Sequence, residues 1–409
     1  MHFNLLVLIS LFGLSFSACA NEAMVSPVPK NVAAAIQLPQ GFKLNVFADL
    51  HQNAQLNADS QPRMMAFDAM GNLYVSLTTQ GKVVKFDKNI QNPTIAGQMT
   101  IIASDLNAPQ GLAIVGEKLY VANQDGIVAI NKNSAKAEVI VKGLPTDGHA
   151  YKSLKLGPDG YLYVNVGSSC NVCVERDPLR ATILRYSLQG KPAGAMGVGA
   201  VYATGLRNSQ GFTWHPKTKA MFATNNGADN RTFVKNGEAD ESIPPEHLNQ
   251  IMPGRNYGWP YCWGNSSTDR VDKEDQKSNP HRWGMLFTDP NFKGEDGFCD
   301  KATAPAMVFE AHSTPIGITF LNQSHFSKAY QNDAIVALHG SWNRQNPSGY
   351  KLMRVMFKGD KPVFTEDFAT GWLKNGAAFG RPVDVQVGQD GALYVSDDRA
   401  GLIYRISNK

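Results

Sequence analysis

A short "GxLYV" phrase recurs with variation along this chain, and it restricts the fold more than any other feature. It reads "MGNLYVSL" (70–77), "GEKLYVAN" (116–123), "DGYLYVNV" (159–166), "TKAMFATN" (218–225), "NDAIVALH" (332–339) and "DGALYVSD" (390–397). Each phrase follows a strand-like run and a short polar turn such as Gly157-Pro158-Asp159-Gly160, a hairpin signature. Five of the six lead into another strand-like run: "KVVKFD", "GIVAIN", "TILRYS", "KLMRVMF" and "LIYRIS". A unit of several strands repeated in this way is a propeller blade. Six phrases predict an all-β, six-bladed β-propeller of four-stranded antiparallel blades. The last blade reads "VDVQVG", "LYVSD" and "LIYRIS" and lacks a fourth strand. Residues 42–49, "FKLNVFAD", have no blade of their own, so they are expected to supply that strand and close the ring.

Residues 1–20 read as a secretory signal, with the apolar run "LLVLISLFGLSF" and the small-residue site "ACA" before Asn21. A competing reading takes "FSAC" as an imperfect lipobox, which would anchor the chain to lipid through Cys19. Both place the protein outside the cytoplasm, periplasmic or secreted. Residues 21–409 then form one propeller domain, with a large loop insertion around 228–305. No other segment is apolar enough to span a membrane. The formal net charge is +4 and is spread along the chain, without the Lys/Arg tract that nucleic-acid binding would need. Four cysteines remain after the signal: Cys170, Cys173, Cys262 and Cys299. An even count in an exported chain points to the pairs Cys170–Cys173 and Cys262–Cys299. A four-cysteine zinc site is the weaker alternative, because it needs two close pairs.

The propeller layout sorts the polar residues. Short turns mark one face, and long loops after the second strand of blades three, four and five mark the other. Just before the inner strands stand Arg63, Gln110, His149, Arg207 with Asn208, His312 and Arg381. Inner strands line the central channel, so these residues are expected to converge on the long-loop face. Arg344, in the blade-five loop, makes a fourth arginine. Arginine recognises carboxylates and phosphates in bidentate fashion, so the implied ligand is a small polyanion.

The stretches "YATGLRNSQGFTWHP" (202–216), "LNQIMPGRNYGWP" (248–260), "ALHGSWNR" (337–344) and "GRPVDVQVGQDGALYVSDDRAGLIYRI" (380–406) resemble the soluble pyrroloquinoline-quinone (PQQ) dependent sugar dehydrogenases, the glucose/sorbosone dehydrogenase family. "GSSCNVCVERDPLRATILRYS" (167–187) looks like the sorbosone branch of that aldose sugar dehydrogenase-like group. The resemblance runs from about Leu38 to Lys409. It implies PQQ, whose three carboxylates suit an arginine ring, and a calcium ion. His149 matches the general base. Arg207, Asn208 and Gln210 match the cofactor-binding Arg-Asn-x-Gln, and Arg381 matches a late arginine. Gln61 falls where the family has a cofactor-contacting glutamine, and Arg63 is the stronger candidate in that blade. The loop aligned with "NNGAD" offers the backbone carbonyls of Gly227 and Ala228 to calcium, and Glu246 takes the place of an acidic residue there. Ser168 stands where the glucose enzyme pairs an aspartate with its histidine, Val383 stands where it has a second arginine, and His312 replaces a threonine.

The resemblance implies sugar oxidation. His149 takes the hydroxyl proton, hydride passes to the quinone, and calcium polarises the quinone carbonyl. The chain carries no CxxCH haem motif, so electrons pass to an external acceptor. The partners are a sugar and that acceptor, and the protein is expected as a monomer or homodimer. The alternative is a propeller that keeps the scaffold as a non-catalytic binding module. A propeller lactonase would need an acidic, metal-chelating channel, whereas this one is lined with Arg and His.

Overall fold

The computed structural model describes residues 32–57, 59–195, 199–264 and 286–409. The signal segment and Cys19 lie outside the described residues, as does the 265–285 part of the blade-four insertion. Six four-stranded antiparallel sheets form the blades. Blade I comprises Pro62–Phe67, Leu73–Leu77, Lys82–Phe86 and Met99–Ala103. Blades II and III span Leu112–Lys142 and Leu154–Thr204, blade IV spans Phe212–Phe309, and blade V spans Pro315–Ala369. Blade VI combines Pro382–Val387, Leu393–Asp397 and Leu402–Asn408 with the strand Phe42–Asp49 from the other end of the chain.

The expected closure is therefore present. Phe42 pairs with Asn408 and Asp49 with Leu402, across one bulge. Phe42 packs edge-on against Phe326, Tyr330 and Phe368, with centroids 4.7, 5.2 and 5.3 Å away. Each such pair adds about 0.5–1.5 kcal/mol beyond area burial. The closing strand is thus held by ring packing as well as by its hydrogen bonds.

Apolar side chains alternate along the strands and fill the spaces between neighbouring blades. Leu73, Val75 and Leu77 pack with Phe47 and Tyr394 between blades I and VI. Phe222 and Leu248 pack with Ile318 and Val336 between blades IV and V. A small apolar group of Met64, Ile316 and Val383 joins the inner strands of blades I, V and VI. Val383, where the glucose enzyme carries an arginine, is therefore part of an axial plug and brings no charge to the site.

Region 228–305 is not all loop. Glu246–Ile251 within it is the third strand of blade IV, paired with both Met221–Asn225 and Met307–Phe309. Its "EHLNQI" sequence interleaves polar and apolar residues after a proline pair, without the aromatic or valine that marks the other third strands. A small hairpin, Cys262–Gly264 with Leu286–Thr288, stands outside the blade. Disulfides join Cys170 to Cys173 and Cys262 to Cys299, with Cα atoms 6.2 and 5.9 Å apart. Among the described residues no helix is long and apolar enough to cross a membrane.

The inner strands approach one another closely at their starts. A Cβ on Gly211 would lie 1.6 Å from the Ile316 carbonyl oxygen of the next blade, and one on Gly111 would lie 2.0 Å from Leu154 N. Only glycine fits such contacts. The glycine of "RNSQG" therefore permits the close approach of the blade-four and blade-five inner strands.

Candidate functional site at the channel mouth

His149 lies in the connection from blade II to blade III. Its Nδ1 is 3.1 Å from the Ser168 carbonyl oxygen and 2.9 Å from Ser168 Oγ. Ser168 Oγ donates its own hydrogen to the Cys170 carbonyl, 2.7 Å away. Both Ser168 oxygens are then acceptors toward the imidazole, so Nδ1 carries the proton and Nε2 the lone pair. Ser168 thus orients the imidazole without adding charge. Burial brings the His149 pKa down to about 4, and the nearby Arg207 charge adds to the effect. The imidazole is neutral at neutral pH. It lines a cleft of about 380 Å³ with Gln124, Gly148, Ala150, Tyr151, Asn208 and Gln210.

Two carboxylates organise the charge around this cleft. Near the axis, Arg63 Nη1 donates to Asp398 Oδ2 at 2.5 Å. His339 Nε2 lies 3.0 Å from the same carboxylate, and Arg381 Nε lies 3.4 Å from it. Arg63 Nη2 also reaches the side-chain oxygens of Gln110 and Gln210, at 3.4 and 3.5 Å. Burial opposes ionisation of Asp398, but His339 and the two arginines hold its carboxyl far below the usual range. His339 is itself pushed down to about 4, first by burial and then by Arg381.

Off the axis, Arg207 Nη2 lies 3.2 Å from Asp229 Oδ2, and His312 Nδ1 lies 3.3 Å from Asp229 Oδ1. Asn343 Nδ2 donates to Asp229 Oδ1 at 2.7 Å. Asn171, inside the Cys170–Cys173 loop, accepts from Arg207 through both its carbonyl and its side chain, at 3.1 and 2.9 Å. Burial works against Asp229, yet His312 and Arg207 keep its carboxyl below the ordinary range. His312 holds a left-handed backbone at φ 61°, which is uncommon for a residue other than glycine and concentrated at functional sites.

Of the predicted residues, His149, Asn208 and Gln210 share the cleft. Arg63 touches Gln210, and Arg207 and His312 meet on Asp229. Arg344 turns to Glu310 and the Ala311 carbonyl, both at 3.1 Å. Gln61 is partly buried at the start of blade I and makes no side-chain hydrogen bond there. The sequence reading has the arginines converging on a polyanion and assigns them no protein partners. Each of the four instead has a carboxylate partner, and the Arg381 side chain, 39% exposed, is the most open of them. Asp229, Asp398, His339, Asn171 and Asn343 were missed as partners, although each lies in or beside a stretch singled out for resemblance.

The metal candidates form a hard-oxygen set. Glu246 is buried, and its Oε2 accepts from Gly227 N at 2.5 Å. Burial raises its pKa to about 7, against the pull of the Gly227 N–H. Side-chain oxygens of Asn208, Asn226 and Asn343 are buried without hydrogen-bond partners. Buried oxygens without partners, and a carboxyl that burial keeps from ionising readily, are the chemistry a hard cation such as calcium would favour. Cys170, Cys173 and Glu175 also cluster, but the sulfurs are joined to each other, so the chemistry there is not that of a zinc site.

The six-bladed propeller and the comparisons with known proteins place the chain among the PQQ sugar dehydrogenase-like proteins. Within this class the chain belongs to the TrAA12-like family, whose model matches residues 44–409. An uncharacterised protein of Borreliella burgdorferi is 27% identical, the match covering 92% of each chain. The pyrroloquinoline quinone-dependent pyranose dehydrogenase of Coprinopsis cinerea is 25% identical; the match covers 89% of this chain and 54% of that protein. The holo PQQ domain of a Coprinopsis cinerea pyranose dehydrogenase superposes with a TM-score of 0.75 at 22% identity, covering 91% of this chain and 97% of that one. A calcium structure of a Trichoderma reesei family AA12 carbohydrate-active enzyme gives 0.74 at 21% identity, with the same coverage. The curated relative whose name carries an activity is thus a quinone-dependent sugar dehydrogenase, and this chain matches about half of that protein's length.

Proposed function

We propose that this protein is an exported, periplasmic quinoprotein that oxidises an aldose or related sugar, with PQQ and calcium bound at the channel mouth and an external electron acceptor. One observation carries the reading: the fixed Nδ1–H tautomer of a neutral His149 beside Asn208 and Gln210. That arrangement presents Nε2 as a base ready at neutral pH. His149 Nε2 takes the sugar hydroxyl proton as the adjacent carbon gives up hydride. PQQ, when bound, would supply the two-electron acceptor, and calcium would supply Lewis-acid polarisation. Arg207, Asn208, Gln210 and Arg381 would hold the cofactor's polar edge, with Arg63, Arg344, His312 and Gln61 around them, and Gly227, Ala228 and Glu246 would hold the calcium. Carboxylate pairing of the arginines lowers the net positive charge of the mouth, so anion affinity rests on directed N–H groups more than on bulk field. The two disulfides suit an oxidising compartment.

The test is reconstitution with PQQ and calcium, followed by dye reduction with a panel of aldoses. His149→Ala and His149→Gln should still bind PQQ and lose about 10²–10⁴-fold in kcat. EDTA should abolish turnover, and calcium should restore it. Tight PQQ binding with no turnover on any sugar would favour a non-catalytic binding module. A loss below about threefold in His149→Ala would remove the histidine from the chemistry.

A further inference from the structure

Lys152 is 1% exposed, among the most deeply buried polar residues of the described chain. Its Nζ donates to the Pro145 carbonyl at 2.8 Å and to the Ala150 carbonyl at 2.6 Å. Those two carbonyls flank the segment that carries His149. Burying an ammonium is costly, and an apolar side chain of the same length would avoid that cost. What the apolar chain cannot do is satisfy two carbonyls turned inward from one loop.

His149 is itself tied to Ser168, by its backbone N–H at 2.9 Å and by its ring, and the loop that carries it is gripped elsewhere as well. Arg180 donates to the Asp147 carbonyl at 3.0 Å and also pairs with its carboxylate. Gly148, at φ 64°, presses on the Ser168–Ser169 backbone, where a Cβ would meet Ser168 O at 2.5 Å. The Lys152 carbonyl is in turn fixed by Gly111 N of blade II at 2.9 Å. The ammonium therefore joins a rigid inner strand to the residue directly after the histidine.

We propose that Lys152 is a positioning residue for His149: by holding the carbonyls of Pro145 and Ala150, its ammonium fixes the loop that aims Nε2 into the cleft. The proposal rests on His149 acting as the base, but its test does not depend on turnover.

The charge state supplies a second handle. Burial, with Arg180 beside it, lowers the Lys152 pKa to about 8, against the opposing pull of Asp125 and Asp147. Above about pH 8 the folded protein releases this proton while the unfolded chain keeps it up to about 10.5. Folding stability from this group therefore rises with pH across that window. A neutral amine donates more weakly to carbonyls, so the aim of His149 deteriorates over the same range. Stability and activity move in opposite directions, which a merely structural lysine would not produce.

The experiment uses full-length protein labelled with ¹⁵N-histidine, with His149 assigned by its loss in H149Q. In wild type the His149 nitrogens should report the Nδ1–H tautomer and a pKa well below 6.5. A second step in their shifts should appear above about pH 8. In Lys152→Met the tautomers should mix, the pKa should climb by at least about one unit toward 6.5, and the alkaline step should vanish. Lys152→Gln keeps uncharged N–H donors on a shorter side chain and should fall between, which preserves the test if the methionine variant folds poorly. In reconstituted enzyme, Lys152→Met should lower kcat by about 10–100-fold with sugar KM within about threefold, as expected for a misplaced base. Unchanged His149 titration and tautomer in both variants would overturn the proposal whether or not the protein oxidises sugars. Altered titration without sugar turnover in wild type would leave Lys152's role standing and defeat the dehydrogenase reading alone.

Discussion

Asp398 and Asp229 each gather an arginine and a histidine, yet the two regions behave differently. Asp398 is 6% exposed and sits among Arg63, Arg381 and His339, so cations outnumber carboxylates and it stays ionised. Asp229 is 17% exposed, shares its charge with one arginine, and has a second acid nearby in Glu246, whose pKa of about 7 leaves it poised between states. The first region is a fixed frame. The second has spare oxygen ligands and a carboxyl that a cation would favour in ionised form. The contrast implies a division of labour: the axial side resists change, and the eccentric side receives ligands.

The largest effect that would sharpen this contrast is on stability. Asp398→Asn leaves Arg63 and Arg381 without their shared anion, and breaking such a buried group costs about 3–5 kcal/mol. Asp229→Asn, more exposed and with amide neighbours to compensate, should cost less than half of that. Denaturant unfolding of both variants measures the difference, and equal losses would erase the distinction. Next in size is ligand affinity. Arg207→Ala should raise the PQQ dissociation constant at least about tenfold, the value of a charge-assisted hydrogen bond in a buried site. Unchanged binding by titration would mean that Asp229 fully occupies this arginine.

The smallest effect concerns pH. His149 has a lowered pKa, so the neutral base is present above that value and is lost as pH falls through it. The acid limb of kcat/KM should therefore lie below 6.5, toward about 4. Arg207→Ala should raise that limb by less than about one unit, because burial rather than Arg207 is the larger cause. A limb at 6.5 in wild type would show that water reaches the ring.

The blade repeats made the propeller legible in the sequence, and "FKLNVFAD" without a blade made its closure legible too. The positions of His149, Arg63, Arg207 and Arg381 followed from their place before inner strands. Their partners did not, because charge pairing across a propeller joins residues that are remote in sequence. Arg63 and Asp398 lie 335 residues apart, and Arg381 and His339 lie 42 apart. "DDRAG" and "NNGAD" have the Asp/Asn/Gly composition of ordinary turns, and nothing local says that their carboxylates face arginines from other blades. Lys152 carries no sequence signal of its own, and only three-dimensional burial reveals its ammonium as the clasp of the histidine loop.

Blade VI has a consequence for how the chain comes together. Its outer strand, Phe42–Asp49, precedes the other strands of all six blades in the chain, and its partner, Leu402–Asn408, follows the other five blades. Until that partner arrives, the early strand offers an unpaired edge and an uncovered Phe42 to any other extended chain. Closing this seam joins strands that five blades separate, so it is among the slowest contacts to be rewarded. A folding intermediate with five blades closed and one open would thus be the species most prone to strand exchange between molecules. Its lifetime would be set by how soon the C-terminal strand finds the N-terminal one.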